Sequence, residues 1–219
     1  MISWTSAETF EIDGVEYLCD QFGIRRDHDP RLCIAKHPRI IDRYAELIAD
    51  LDPRVIVEVG ILDGASIALF ADLAKPDRLV AIEYDKGPFD KLQAFIDHRG
   101  LQDVVEVHGG VDQADTDGLA AIVGDGPLDL VVDDASHLYG PSRATFHCLF
   151  PRLRPGGVYV LEDWATSLRH GSPAQLEPGD RPLVDLVFEI ITAKGREPGS
   201  IHDITVRSGV VTIVRGQSA

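Results

Sequence analysis

Apolar runs separated by turn-forming residues predict alternating strands and helices along most of the chain. Several runs are apolar without alternation, as expected for strands that are buried on both faces of a parallel sheet. Helical spacing of apolar residues separates these runs. The predicted strands cover residues 55–57, 78–83, 104–108, 128–133 and 158–161, and the predicted helices lie around 41–51, 65–73, 89–96, 141–150 and 183–194.

The two ends of the chain depart from this alternation. Residues 10–17 alternate apolar and polar side chains around Asp13-Gly14, which predicts a short hairpin in an N-terminal extension, 1–35, that precedes the main domain, 36–219. Residues 201–207 and 210–215 flank Ser208-Gly209 and predict a second, antiparallel hairpin. Together the elements predict an α/β fold with a mostly parallel, Rossmann-like sheet, an antiparallel C-terminal hairpin and helices on both faces.

The stretch from Glu58 to Ser66 turns a predicted buried strand directly into a helix through Gly60 and Gly64. A dinucleotide site would need G-x-G-x-x-G, which this loop lacks. The pattern E-x-G-x-x-x-G-x-S instead resembles the first motif of class I S-adenosylmethionine-dependent methyltransferases. The resemblance implies that Glu58, Gly60, Gly64 and Ser66 hold the amino-acid end of the cofactor. A tight turn without a ligand is the structural alternative.

Three further acids are candidate cofactor residues. Glu83 ends the second predicted strand, where a carboxylate can accept hydrogen bonds from both ribose hydroxyls. In the methyltransferase family the turn at Asp112 lies beside the adenine, and Asp133 is assigned to holding the cofactor or orienting His137. Solvated acids at strand ends are the alternative for each.

Two acidic clusters end adjacent predicted strands: Asp133 and Asp134 with His137, and Glu162 with Asp163. Because parallel strands end at the same edge of a sheet, the clusters should meet above the cofactor crevice. Carboxylates pressed together raise one another's pKa unless a cation neutralises them. Oxygen ligands of this kind suit Mg²⁺, and the sequence does not distinguish it from Mn²⁺.

The D-D-x-S-H motif that ends at His137 and the later E-D pair resemble the metal-dependent sugar O-methyltransferases of macrolide and related glycoside biosynthesis. The likeness covers roughly residues 36–164. It implies that Asp134, Glu162 and Asp163 bind Mg²⁺ and that His137 is the general base. Those macrolide enzymes carry larger N-terminal regions, which leaves substrate identity and oligomeric form open.

The function predicted from these residues is Mg²⁺-dependent methyl transfer from S-adenosylmethionine to a sugar hydroxyl. The acceptor would be a polysaccharide, a glycolipid such as a methylated mannoside, or a small-molecule glycoside. A catechol-type small-molecule methyltransferase is the first alternative, followed by a nicotinamide dehydrogenase and a non-catalytic interaction module. Candidate sugar contacts are Tyr139, Trp164, Arg169 and His170, and Lys36 and His37 are predicted to face the cofactor or to be solvated loop residues.

The composition limits the classes of molecule that the protein is expected to bind and the environment in which it is expected to occur. Lys and Arg number 21 against 36 Asp and Glu, and the resulting net charge of −15 argues against binding of nucleic-acid backbones. Three widely spaced cysteines indicate a reducing, cytoplasmic environment rather than a disulfide framework. No signal peptide and no membrane span are expected. Contact between two copies through the N-terminal hairpin, giving a homo-oligomer, is left open.

Overall fold

A computed structural model describes residues 1–22, 24–25, 28–168, 176 and 179–217. Its larger sheet has the strand order β10-β11-β9-β8-β5-β6-β7, in which β5 to β9 are parallel and β10 and β11 form an antiparallel hairpin. This order confirms the predicted mostly parallel, Rossmann-like α/β fold. The strands are β5 (Val55–Val59), β6 (Arg78–Glu83), β7 (Val105–Gly109), β8 (Leu128–Asp133), β9 (Leu153–Glu162), β10 (Ile201–Arg207) and β11 (Val210–Arg215).

Helices cover both faces of this sheet because successive strand residues point to opposite sides. Ile56 packs with one set of helices (α1 to α3), whereas the next residue, Val57, packs with the other (α4 to α6). Each strand therefore has to be apolar on both faces. The helices are α1 (Pro38–Leu51), α2 (Ala65–Ala74), α3 (Asp90–Arg99), α4 (Thr116–Val123), α5 (Tyr139–Leu149) and α6 (Val184–Arg196).

The N-terminal extension forms a second, four-stranded sheet rather than a hairpin alone. The predicted hairpin is present as β2 and β3, and two strands that the sequence did not indicate flank it. This sheet shares one hydrophobic core with α1 and α2, and Tyr17 donates a 2.8 Å hydrogen bond to Asp72 of α2. The domain division at residue 36 stays a prediction. The four strands are β1 (Ser3–Trp4), β2 (Thr9–Ile12), β3 (Val15–Cys19) and β4 (Leu32–Ile34).

Helix α4 is missing from the sequence prediction. It has eight residues and contains Gly118, whose backbone N–H is capped by the Asp115 side chain at 3.0 Å. So short a helix with an internal glycine carries little periodic signal. Across the described residues, the helices lack the combination of length and apolar character that a bilayer crossing needs.

Gly60, directly after β5, lies in a closely packed part of the structure at the carboxyl ends of the parallel strands. Its φ is +87°, and a Cβ there would lie 2.4 Å from the Cα of Ala135. Gly14 has a similar φ of +83° but open space around it. We expect Gly60→Ala to lower the free energy of unfolding in urea by roughly 3 kcal/mol and Gly14→Ala by about 1 kcal/mol. Equal losses would show that backbone strain, not close approach, fixes Gly60.

Candidate active site

A cavity of about 850 Å³ opens at the carboxyl ends of the parallel strands. This is the edge at which open α/β sheets bind ligands. The predicted site residues in its lining are Gly60, Ser66, Glu83, Asp112, Asp134, His137 and Asp163. The described residues of that lining do not include Glu58, Gly64, Asp133, Glu162, Tyr139 or Trp164.

Glu58 lies beneath the glycine loop and is fully buried. One carboxylate oxygen, Oε2, accepts a 2.7 Å hydrogen bond from Ser66, which lines the cavity. The other, Oε1, has no partner among the described residues. Burial raises the pKa of Glu58 to about 8, although the charge of Lys36 and the Ser66 hydrogen bond act in the opposite direction. A buried, unpaired acceptor is costly, and a cationic ligand group would satisfy it.

Glu83 holds the glycine loop in place from the end of β6. Its Oε2 accepts from the backbone N–H groups of Ile61 and Leu62, at 2.9 and 2.8 Å. Its Oε1 accepts from the N–H groups of Tyr84 and Asp85, at 2.7 and 3.2 Å. A carboxylate has about four acceptor positions, so the backbone already uses them. Ribose hydroxyls would have to share or replace these bonds.

The next two predicted cofactor acids differ in exposure. Asp112 is exposed at the cavity, and its side chain accepts from the backbone N–H of Ala114 at 2.8 Å. Asp133 is buried below the cavity and accepts from Gln113 at 2.6 Å and from the Tyr159 hydroxyl at 2.9 Å. Burial raises the pKa of Asp133 to about 7, against the effect of the Tyr159 hydrogen bond. Asp133 therefore supports Gln113, which itself lines the cavity.

Three candidate metal ligands lie together in the lining of the cavity. Asp134, His137 and Asp163 each offer a ligand atom, and these atoms lie within 4.8 Å of one another. His137 and Asp163 both have left-handed backbone, with φ of 56° and 49°. Such strained non-glycine positions are uncommon and cluster at functional sites. The donor set of two carboxylates and an imidazole suits a divalent cation.

Glu162, the third metal ligand implied by the family resemblance, has other partners in this structure. Its side chain is buried, and its Oε1 accepts from Lys36 Nζ at 2.7 Å and from the Tyr44 hydroxyl at 2.5 Å. Lys36 also donates to Asp134 at 2.5 Å. Burial raises the pKa of Glu162, and the charge of Asp134 adds to that effect while Lys36 opposes it. An ammonium group thus occupies the space between two of the three implied metal ligands.

Comparison with known proteins supports the same assignment of the fold and the loop. Residues 57–164 match the family model described as a methyltransferase domain, and this range contains the glycine loop, D-D-x-S-H and the E-D pair. Residues 57–164 carry a methyltransferase domain. The resemblance of the glycine loop to class I S-adenosylmethionine-dependent methyltransferases is thereby confirmed.

Curated relatives of this methyltransferase domain are named as O-methyltransferases. Demethylmacrocin O-methyltransferase of Streptomyces fradiae is 39% identical over 85 residues, which is 34% of this chain and 22% of the relative. The 8-demethyl-8-(2-methoxy-alpha-L-rhamnosyl)-tetracenomycin-C 3'-O-methyltransferase of Streptomyces olivaceus is 31% identical over 137 residues, 58% of this chain and 31% of the relative. The chain therefore spans less than a third of the length of these curated relatives.

Solved structures share the fold of the methyltransferase domain at low sequence identity. The MycE methyltransferase from the mycinamycin pathway, in complex with Mg and SAH, gives a TM-score of 0.61 at 22% identity, covering 80% of this chain and 49% of that chain. The O-methyltransferase TomG of Streptomyces achromogenes, in complex with SAM, gives 0.62 at 23% identity, covering 90% and 88%.

Two of the four predicted sugar contacts, Tyr139 and Trp164, are not among the described residues that line the cavity. The Tyr139 hydroxyl donates to Glu189 at 2.6 Å, and the Arg181 guanidinium lies 3.8 Å from the centre of its ring. Trp164 donates its indole N–H to the carbonyl of Arg207 at 2.9 Å. The remaining two predictions, Arg169 and His170, lie outside the described residues.

Sequence reasoning missed two residues of the site and left a third undecided. Gln113 was missed although it directly follows the predicted turn acid, and its Oε1 accepts from Ser136 at 2.6 Å. Tyr44 was assigned only to the apolar face of α1. Lys36 was predicted to face either the cofactor or solvent, and it lines the cavity.

Removal of the Tyr159 hydroxyl tests the buried support of the cavity floor. Tyr159→Phe leaves Asp133 Oδ2 without its hydroxyl donor in a buried environment, so we expect a loss of about 2 kcal/mol of unfolding free energy at pH 8. Tyr139→Phe removes a hydroxyl whose partner Glu189 lies near the surface, and should cost about 0.5 kcal/mol. Urea denaturation of both variants measures the difference, and equal losses would contradict this assignment.

Proposed function

We propose that this chain is a Mg²⁺-dependent O-methyltransferase that transfers the methyl group of S-adenosylmethionine to a sugar hydroxyl. The observation that carries the proposal is the arrangement around one cavity. Ser66, which follows the glycine loop, donates to the buried Glu58 carboxyl, whose Oε1 lacks a partner among the described residues. In the same lining, His137 lies beside Asp134 and Asp163.

The cofactor fits the part of the cavity beside the glycine loop. Glu58 Oε1 lacks a partner among the described residues, and the amino group of S-adenosylmethionine is a cation that would supply one. Gly60 keeps the glycine loop close to the backbone of Asp134 and Ala135, so the loop and the candidate metal ligand Asp134 are adjacent. The MycE structure contains SAH and TomG contains SAM, which supports the same choice of cofactor.

The metal would bind in the cavity through Asp134 and Asp163, next to His137. When bound, Mg²⁺ would orient two acceptor hydroxyls and lower the pKa of one. The His137 Nε2 lies 3.9 Å from Asp134 Oδ1, so the imidazole is adjacent to a proposed metal ligand. MycE contains Mg, which supports the assignment of this ion.

The reaction needs a base because a sugar hydroxyl is a weak nucleophile. The acceptor oxygen forms the new bond to the methyl carbon as the carbon–sulfur bond breaks, and the electron pair of that bond stays on sulfur in S-adenosylhomocysteine. The hydroxyl proton passes to His137 as general base. Holding both reactants in line in one cavity lowers the entropic part of the barrier.

The acceptor is proposed from the named activities of the relatives. The name of the Streptomyces olivaceus relative described above specifies O-methylation of a compound that carries a rhamnosyl group. We extend this to a sugar hydroxyl on a glycoside, a glycolipid or a polysaccharide. The polysaccharide acceptor, the cytoplasmic location and homo-oligomer formation rest on the sequence alone and stay predictions.

Replacement of His137 separates the base from the metal ligands. We expect His137→Ala to lower the turnover of methyl transfer by about 10²- to 10⁴-fold while the Kd values of SAH and Mn²⁺ stay within a factor of three. His147, exposed on α5, provides the matched control His147→Ala, which should retain full turnover. Mass spectrometry of a panel of glycosides and one aromatic diol, with and without EDTA, reports turnover.

Two results would change the assignment. A large loss of Mn²⁺ affinity in His137→Ala would make His137 a metal ligand rather than the base. Methylation of the aromatic diol alone would replace the sugar acceptor with a catechol-type acceptor.

Proton release on cofactor binding tests the role of Glu58. With a pKa of about 8 this carboxyl is mostly protonated at pH 7, and a cationic amino group beside it lowers the pKa and expels the proton. SAH should therefore bind more tightly as pH rises from 6 to 8. Calorimetry in phosphate and in Tris counts the protons released.

The Glu58 experiment has two matched variants. Glu58→Gln should bind SAH without releasing this proton. Asp133→Asn removes another buried carboxyl, one whose pKa is raised to about 7, and should retain the release. A wild-type binding enthalpy that does not depend on the buffer would contradict the pairing of Glu58 with the amino group.

A further inference from the structure

Lys36 connects the N-terminal sheet to the active site. It lies between β4 and α1, and its backbone N–H donates to the carbonyl of Ile34 at 2.7 Å. The side chain is only 5% exposed. Its ammonium nitrogen lies 2.5 Å from an oxygen of Asp134 and 2.7 Å from an oxygen of Glu162. Lys36 therefore places a positive charge between two carboxylates inside the site.

The ammonium group has both acidic clusters as partners. Its Nζ donates to Asp134 Oδ2 at 2.5 Å and to Glu162 Oε1 at 2.7 Å. The Glu162 oxygen also accepts from the Tyr44 hydroxyl at 2.5 Å, so α1 supplies a second donor to the same atom. Glu162 is thus held by two donors from one side of the protein, whereas Asp163 faces the cavity.

We propose that Lys36 is a resident cation that keeps Glu162 out of the metal's coordination sphere and sets the metal affinity of the site. The inference rests on the proposed function, because it concerns the Mg²⁺ site assigned there. The metal would then bind through Asp134 Oδ1 and Asp163, next to His137, while Glu162 neutralises Lys36. The D-D-x-S-H and E-D motifs alone would assign Glu162 to the metal.

Two physical effects lead to this assignment. A divalent cation held by Asp134 would lie within a few ångströms of the Lys36 ammonium, and like charges at such distances in a buried site repel strongly. In addition, coordination through Glu162 Oε1 would displace the Lys36 and Tyr44 hydrogen bonds to that oxygen and leave a buried lysine short of a partner, which is costly. Both effects weaken metal binding, and both disappear when the charge at position 36 is removed.

Mn²⁺ binding to the full chain with saturating SAH measures this directly, by calorimetry and by electron paramagnetic resonance. Lys36→Met keeps the length of the side chain and removes its charge, so we expect the Mn²⁺ Kd to fall at least tenfold. Lys36→Arg keeps the charge and should leave the Kd within about threefold of wild type. The SAH Kd and the thermal unfolding midpoint are recorded for every variant as controls for folding.

Glu162 provides a second measurement that does not depend on the stability of Lys36→Met. In the wild-type background, both substitutions are compared by the factor by which they raise the Mn²⁺ Kd. This factor should be at least ten times smaller for Glu162→Gln than for Asp163→Asn. In the Lys36→Met background, Glu162 is free to coordinate the metal, and Glu162→Gln should then raise the Mn²⁺ Kd tenfold or more. This difference between the two backgrounds is the coupling that the inference predicts.

The outcomes separate the inference from the proposed function. Unchanged or weaker Mn²⁺ binding by Lys36→Met would overturn the inference, and so would equal effects of Glu162→Gln and Asp163→Asn in the wild-type chain. No Mn²⁺ binding by either wild type or Lys36→Met, with SAH still bound, would overturn the metal site of the proposed function itself. Metal binding by Lys36→Met alone would support the inference most strongly.

Discussion

Burial of acidic side chains at the end of the parallel sheet is the constraint on which the site depends. Asp133 and Glu162 end two neighbouring strands, Glu58 is the next-to-last residue of a third, and all three are at most 3% exposed. Burial raises the pKa of all three carboxyls. Different groups offset the cost of burying each carboxyl. Glu162 accepts from the Lys36 ammonium, Asp133 accepts from neutral donors, and the cost of burying Glu58 is offset only in part. The incomplete compensation of Glu58 leaves a place for a cationic ligand.

Strand geometry explains how adjacent acids acquire different surroundings. Successive residues of a strand point to opposite sides. Asp133, still within β8, lies in the interior against Tyr159, whereas Asp134, past the strand, borders the cavity. Glu162 and Asp163 repeat this division at the end of β9. In each acidic pair, one carboxyl shapes the floor of the site and the next one faces the ligand space.

Much of the fold was predictable because its signals are local. Buried apolar runs, the glycine loop and the two hairpins each occupy a short stretch, and strand ends of one parallel sheet must meet. The contacts that define Glu162 are not local: Lys36 is 126 residues away in sequence and Tyr44 is 118. No periodicity reports such a pairing. The extra strands β1 and β4 were missed for a related reason, since two- and three-residue strands are fixed by their neighbours.

A crystal structure of the protein grown with SAH and Mn²⁺, with anomalous data collected at the manganese edge, would locate both ligands. We predict SAH in the cavity with its amino group at hydrogen-bond distance from Glu58 Oε1. It also predicts an anomalous peak bound by Asp134 and Asp163 near His137. SAH bound elsewhere, or a manganese peak remote from Asp134, would contradict the account.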